Sequence, residues 1–329
     1  MGLWQGTLEG LEEVKTLIFG ATGFVGSNVL RLFLRKGDEM HVCLRKNSDT
    51  WRIKDLLGDL NVHVGDLSLP QSIEKVISTV KPDYVINCSG IVKGFGMDDQ
   101  RNVVQSNFVN AVNLLNACVK LSVENMINTG SAYECGFSRE PISQKECIGQ
   151  PIGIYGITKR AEREYIDMVA RKYKRNFVTG RLFTPFGPFD TVKRLIPHVI
   201  TSLMNEITPI INEPNSGRDF IFIEDVAKIY YKLTRKPEIL EGRSSFNVGT
   251  GKLTRVKDVV RILYEIAGKN YAEYSSKVNK SNRYLYADYK EINDILSKVD
   301  VRVQTLRRGL LETSKWFTEN RNLYIRKGE

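Results

Sequence analysis

One segment constrains this fold more than any other: Leu17-Ile18-Phe19-Gly20-Ala21-Thr22-Gly23-Phe24-Val25-Gly26, an apolar strand-like run that enters a glycine-rich turn and leaves as a helix. Gly20 allows a tight turn there, Gly23 lets backbone amides approach a pyrophosphate, and Gly26 lets the helix pack closely on the strand. The positive helix N-terminus then faces phosphate, with Thr22, Phe24 and Val25 completing the cofactor side. A tight turn without ligand would use the same glycines, so the surrounding pattern decides.

That pattern alternates short apolar runs with helix-period stretches. Val14 to Phe19, His41 to Leu44, Val62 to Val64, Tyr84 to Cys88, Asn125 to Asn128 and Phe177 to Arg181 read as strands. Ser27 to Lys36, Pro70 to Val80, Arg101 to Leu121 and Tyr155 to Tyr173 read as helices between them. The expected class is α/β, a doubly wound parallel sheet of Rossmann type with a smaller C-terminal α/β substrate lobe. Beyond Arg181, Pro185, Pro188 and Pro197 break the regularity, and an isolated strand-like Ser245 to Val248 precedes helices near Arg255 to Ala267, Tyr289 to Ser297 and Leu306 to Phe317. Residues 1–182, with 219–250 returning, are assigned to the dinucleotide-binding domain, and 183–218 with 251–329 to the substrate lobe.

Composition narrows the class. With 42% hydrophobic and 26% charged residues, collagen-like, disordered and coiled-coil chains are excluded. Five cysteines, odd in number and without a C-x-x-C pair, argue against a zinc site or a disulfide framework and for a reducing, cytoplasmic location. No apolar stretch reaches the ~18 residues of a membrane helix, and Met1 to Val14 lacks a signal peptide's basic head and apolar core. The net charge of +10 is dispersed, without the basic clusters that mark nucleic-acid binding, and suits a phosphate-bearing small ligand.

At the end of the second strand stands Arg45-Lys46, where an acid would hold the ribose hydroxyls of NAD. Two cations and no carboxylate before Asp49 favour NADP over NAD. Asp66, followed by Leu67 after the third strand, is placed either to accept from an adenine amine or to cap a helix. Tyr155 and Lys159, four apart on a helix, share a face, and the ammonium lowers the tyrosine's proton affinity toward neutral pH. Ser131, beyond the fifth strand, sits at the carboxyl edge of the sheet and suits a bond to a reacting carbonyl oxygen.

Together the glycine turn, Asn87-Cys88-Ser89-Gly90, Ser131, Tyr155 with Lys159, and Arg181-Leu182-Phe183-Thr184-Pro185-Phe186-Gly187-Pro188 resemble the extended short-chain dehydrogenase/reductase family of nucleotide-sugar enzymes. The later segments Gly217 to Ala227 and Phe246 to Gly251 resemble it too. The resemblance implies that Ser131, Tyr155 and Lys159 are catalytic and that Lys159 also holds the nicotinamide ribose. It implies further that Cys88, Ser89, Gly90 and Asn107 belong to the cofactor side, and that Arg218 grips the sugar-nucleotide diphosphate. The alternative for Arg218 is a salt bridge to Asp219 or Glu224. Arg181, Thr184, Arg194 and Arg283 complete the expected substrate side.

Departures narrow the chemistry. Members that dehydrate place an acid within two residues after the catalytic Ser or Thr, whereas Ser131 precedes Ala132 and Tyr133, and Glu134 is one position late and expected to face elsewhere. Thr184 and Cys135 replace a usual Asn and Tyr. The leading expectation is an NADP-preferring 4-ketoreductase of a nucleoside-diphosphate keto-sugar, with an NAD-holding 4-epimerase or 4-dehydrogenase as the alternative. A non-catalytic dinucleotide-binding protein is a rival that the retained Ser131, Tyr155 and Lys159 argue against. The helices Arg101 to Leu121 and Tyr155 to Tyr173 are the pair through which the family dimerises, and Val104, Phe108, Val112 and Leu115 suit that homodimer or ordinary core packing.

Overall fold

Alternation of apolar residues along the strands sends neighbours to opposite faces of one sheet, so that Ile18 joins one core and Leu17 and Phe19 the other. The computed structural model describes residues 14–92, 97–145, 147, 149–271 and 283–325. In chain order the strands are β1 (Thr16–Phe19), β2 (Met40–Leu44), β3 (Asn61–Val64), β4 (Tyr84–Asn87), β5 (Asn125–Ser131), β6 (Asn176–Leu182), β7 (Thr184–Phe186), β8 (Gly217–Arg218), β9 (Phe220–Phe222), β10 (Ser245–Val248), β11 (Thr254–Arg255) and β12 (Tyr284–Leu285). The main sheet is parallel, in the order β10-β6-β5-β4-β1-β2-β3. Strand order reverses between β1 and β4, which opens a crevice beyond their carboxyl ends.

Helices cover both faces: α1 (Phe24–Arg35), α2 (Pro70–Val80), α3 (Met97–Val104), α4 (Asn110–Lys120), α5 (Gly153–Tyr173), α6 (Leu195–Met204), α7 (Ile223–Arg235), α8 (Val256–Ile266), α9 (Tyr289–Lys298), α10 (Leu306–Glu319) and α11 (Arg321–Ile325). Val29 and Phe33 of α1 and Val226 and Tyr230 of α7 pack on Ile18, Ile86, Val178 and Phe246. On the other face α2, α4 and α5 pack Ile73, Leu114 and Ile166 against Phe19, Val85 and Phe177. The lobe has its own core of Phe186, Val199, Phe220, Val259, Leu310 and Phe317.

Several expectations change. Arg101 to Leu121 is helical as expected up to Lys120, but not regular: a π-helical turn at Gln105–Val109 lies between α3 and α4, and Asn107 within it is buried. Pro197 lies inside α6, in its first turn, where the missing N–H has no intrahelical acceptor and costs nothing. The strand-like Ser245–Val248 is not isolated but pairs with β6. Helix α9 packs Ile295, with Val299 and Val301 behind it, in the core of the main sheet and Ile292 in a separate cluster with Cys135, Phe183 and Leu285. The expectation of unpaired cysteines is also corrected: closure of the loop after β5 brings Cys135 and Cys147 to a Cα separation of 4.4 Å in a disulfide, while Cys43, Cys88 and Cys118 stay free. Linear spacing carries no record of that closure.

Asp219, between β8 and β9, ties the lobe to the sheet. Its buried carboxylate accepts from Thr250 N at 2.8 Å, Thr250 Oγ1 at 2.6 Å and Gly251 N at 2.9 Å. Burial raises its proton affinity, and those donors oppose the rise. Asp219→Ala strands these donors, and urea unfolding should show a loss of about 2–4 kcal/mol.

Candidate active site

The crevice between β1 and β4 runs into a cleft of about 1140 Å³ closed on its far side by the lobe. Its floor begins at the glycine turn. Gly20 has φ +78°, and a Cβ there would stand 2.5 Å from the Cys88 carbonyl carbon and the Ser89 nitrogen. A Cβ on Gly26 would stand 2.3 Å from the Gly20 oxygen, so α1 meets the turn with no room for side chains. Helix α1 starts at Phe24 with no side-chain cap and no acid in its first turn. These amides suit the pyrophosphate of a dinucleotide. Gly23, Phe24, Val25, Cys88, Ser89 and Gly90 line this end of the cleft.

Arg45 and Lys46 are exposed immediately after β2, and Thr22 follows the β1 turn with its carbonyl 3.4 Å from the Arg52 guanidinium. Asp66 caps no helix, which closes that alternative: the cap position of α2 is Leu69. Its carboxylate instead accepts from Ser68 N and Ser68 Oγ, each at 2.8 Å. The Ser68 amide above all, with Arg45 contributing, holds it below the usual carboxylate range despite partial burial. The Leu67 carbonyl accepts from Asn113.

Ser131 ends β5 with its Oγ in the cleft, accepting from Tyr133 N at 3.2 Å. Tyr155 rises from the first turn of α5, its ring edge-to-face with Tyr133 at 6.0 Å. Lys159 follows one turn later, almost fully buried, with Nζ donating to Thr129 O at 3.0 Å and to Glu162 Oε2 at 2.7 Å. Burial pulls its ammonium down, but Glu162 and then Tyr155 outweigh burial and leave it above the ordinary lysine value. Asn107 fastens the loop after β4 to α5: it accepts from Ile91 N at 2.7 Å and donates to Ile91 O and Thr158 Oγ1. Burial pushes the Cys88 thiol up to about 11, so it is a neutral group at the cleft floor.

The lobe supplies the opposite wall. Arg218 lines the cleft, donating to the Gly217 and Arg283 carbonyls, with its guanidinium 3.5 Å from Glu213 and 5.0 Å over the Phe137 ring. Arg283 reaches the same Glu213 at 3.2 Å and stacks on the same Phe137 at 5.4 Å. Neither expected rival partner of Arg218 holds it: Asp219 is committed to Thr250 and Gly251, and Glu224 pairs with Lys228 and Arg35. Arg194 bonds buried Asp190 and lies 5.8 Å over Phe24, toward the glycine turn, and Thr184 faces the cleft from β7. Sequence reasoning missed Glu213 and Phe137, which only tertiary contact joins to the arginines. It also missed Glu162, although its i+3 spacing from Lys159 on a helix was a usable signal.

Arg181 is a correction. It does not reach the cleft; it is 1% exposed, with Nε on Glu134 Oε1 at 2.5 Å and Nη1 on Asn247 Oδ1 at 2.8 Å. Glu134, itself fully buried, also lies 3.2 Å from Arg163 of α5 and so faces away from Ser131's side of the cleft. Arg181→Met leaves the Glu134 charge with one weaker partner, and chemical denaturation should show a loss of about 3–5 kcal/mol.

Residues 16–249 match the model of the NAD dependent epimerase/dehydratase family. Protein CapI of Staphylococcus aureus is 21% identical over 93% of this chain and 99% of its own length. In structure, the UDP-glucose 4-epimerase of Thermotoga maritima, solved with UDP-glucose, superimposes with a TM-score of 0.81 at 21% identity, covering 92% of this chain and 98% of that one. The dTDP-glucose 4,6-dehydratase of Bacillus anthracis, solved with NAD, gives 0.83 at 17% identity over 94% and 98%. With the sheet order and the glycine turn on which the resemblance rested, the chain belongs to the NAD dependent epimerase/dehydratase family.

Proposed function

We propose that this enzyme moves hydride at a single carbon, C4, of a nucleoside-diphosphate sugar and that its reaction is 4-epimerisation with a retained NAD. One observation carries the reading: Ser131, Tyr155 and Lys159 meet on one wall, while Glu134, the nearest following acid, is locked to Arg181 and Arg163. The wall therefore offers Tyr155 as its proton-handling group, and among the described residues no acid directly following Ser131 enters the cleft to drive an elimination. Ser131 Oγ and Tyr155 hold the C4 oxygen, Tyr155 takes its proton, and Lys159 offsets the phenolate charge. A bound nicotinamide supplies the acceptor and later the donor of the hydride. Tyr155 then returns the proton to the oxygen after the sugar presents its other face. Arg218 and Arg283, bracketing Glu213, are suited to the diphosphate.

The Arg45-Lys46 pair, exposed beyond β2, supports a second reading, a 4-ketoreductase drawing on free NADPH. Nucleotide released by denaturation and identified by mass separates them. Epimerisation requires stoichiometric NAD and interconversion of nucleoside-diphosphate hexoses at C4 without solvent deuterium entering that carbon. Protein that emerges empty and oxidises NADPH with a 4-keto sugar makes the reductase correct. Tyr155→Phe should lower turnover about 10²–10⁴-fold while nucleotide stays bound. Arg45→Asp should lower the NADPH to NADH efficiency ratio, and an unchanged ratio removes the reductase's support.

Among the described residues no helix is long and apolar enough to cross a membrane. Half-exposed Val112 and exposed Val104, Ile157 and Met168 on α3 to α5 support a homodimer through these helices, whereas Leu115 is taken up by the sheet's core. Light scattering should give twice the chain mass, and Ile157→Glu with Met168→Glu should halve it.

A further inference from the structure

Glu162 has no place in the proposed reaction, yet it is the side chain most closely joined to it. Its carboxylate, 1% exposed, bonds Lys159 Nζ at 2.7 Å inside the protein, about two helical turns after Tyr155. We propose that Glu162 is a positioning residue that acts on Tyr155 through Lys159, its carboxylate offsetting part of the ammonium charge that Tyr155 faces.

The groups facing this carboxyl come from every surrounding element. Lys159 and Tyr155 share α5, and Asn87 on β4 and Asn128 on β5 present neutral amides, with Asn87 Nδ2 at 3.5 Å from Glu162 Oε1 and 2.8 Å from Asn128 Oδ1. Glu134, after β5, is a second acid; it pairs with Arg181 and Arg163 and still adds to the proton affinity of Glu162 and of Lys159. Cys88, directly after β4, stays a thiol. Lys159 is therefore the one cation directly bonded to Glu162 among the described residues, and its third proton is free for the cleft after Glu162 and Thr129 take two.

Lone, the Lys159 ammonium would draw Tyr155 toward phenolate. Paired in a site of low polarity, it presents Tyr155 with little net charge once Glu162 is ionised. Burial pushes the Glu162 carboxyl up to about 7, with Lys159 opposing. Below that pH the carboxyl takes up a proton and the ammonium acts alone; above it the pair is neutral.

The inference takes Tyr155 as the proton-handling group of the proposed reaction, but its test needs no substrate. Ultraviolet phenolate titration of the nucleotide-loaded protein, minus that of Tyr155→Phe, isolates the Tyr155 midpoint. In a Glu162→Gln background the same difference should show the midpoint lower by about one unit or more, and Glu162→Asp, which keeps the charge, should restore most of it. If Glu162→Gln does not fold, Glu162→Met carries the same expectation. A midpoint unchanged or raised in the uncharged variant overturns the inference, because a packing role alone does not lower it. If Tyr155→Phe keeps full turnover while the midpoint moves, the reaction reading fails and the electrostatic role of Glu162 stands.

Discussion

A buried ionic knot holds in place the cleft wall that carries Ser131, Tyr155 and Lys159. Glu134 follows the turn that carries Ser131, Arg181 comes from β6, Arg163 from α5, and Asn247 from the edge strand β10, and all meet out of water. Arg181 also reaches the Ser143 carbonyl, so the loop closed by Cys135 and Cys147 is held from inside. Removing any one charge strands the others in a medium that cannot solvate them. The helix bearing Tyr155 and Lys159 and the turn bearing Ser131 are joined because Arg163 of that helix and Arg181 of β6 both reach the buried Glu134.

A second set of contacts fixes the lobe. Asp219 pins β8 and β9 to the loop after β10, and an aromatic cluster of Trp51, Phe189, Trp316 and Tyr324 joins the segment after β2 to α10 and α11, with Phe189 and Trp316 centroids at 4.6 Å. Arg52 donates to the Phe189 carbonyl across the same junction. The two walls of the cleft are thereby anchored by polar and aromatic contacts at both ends, and Arg218 lines the cleft while Arg283 stacks beside it on Phe137. Cofactor end and substrate end are parts of one packed body.

Much of this was legible in the chain. The strand and helix alternation located β1 to β6, α2 to within its exact ends and α5 to within two residues, because period-2 and period-3.6 burial leave local marks. Ser131, Tyr155 and Lys159 were found from spacing and do line one cleft. Helix α6 was hidden by Pro197, which a first turn tolerates, and the two cores that α9 joins could not be read because an amphipathic helix does not say what it packs against. Arg181 was misread for a related reason: an arginine near a substrate motif reads as a ligand-binding group until its buried partner is seen.

By itself the sequence determined what depends on local chemistry: a parallel α/β sheet, a glycine turn that no other residue type fits sterically, and the face shared by Tyr155 and Lys159. Only the tertiary structure decided which charges were spent internally. It gave Arg181 to Glu134, Glu213 to two arginines, Cys135 to Cys147 and Glu162 to Lys159. The physical reason is that backbone preferences act over a few residues, whereas pairing of buried charges depends on which elements the folded core brings within a few ångströms and on how much water it leaves there.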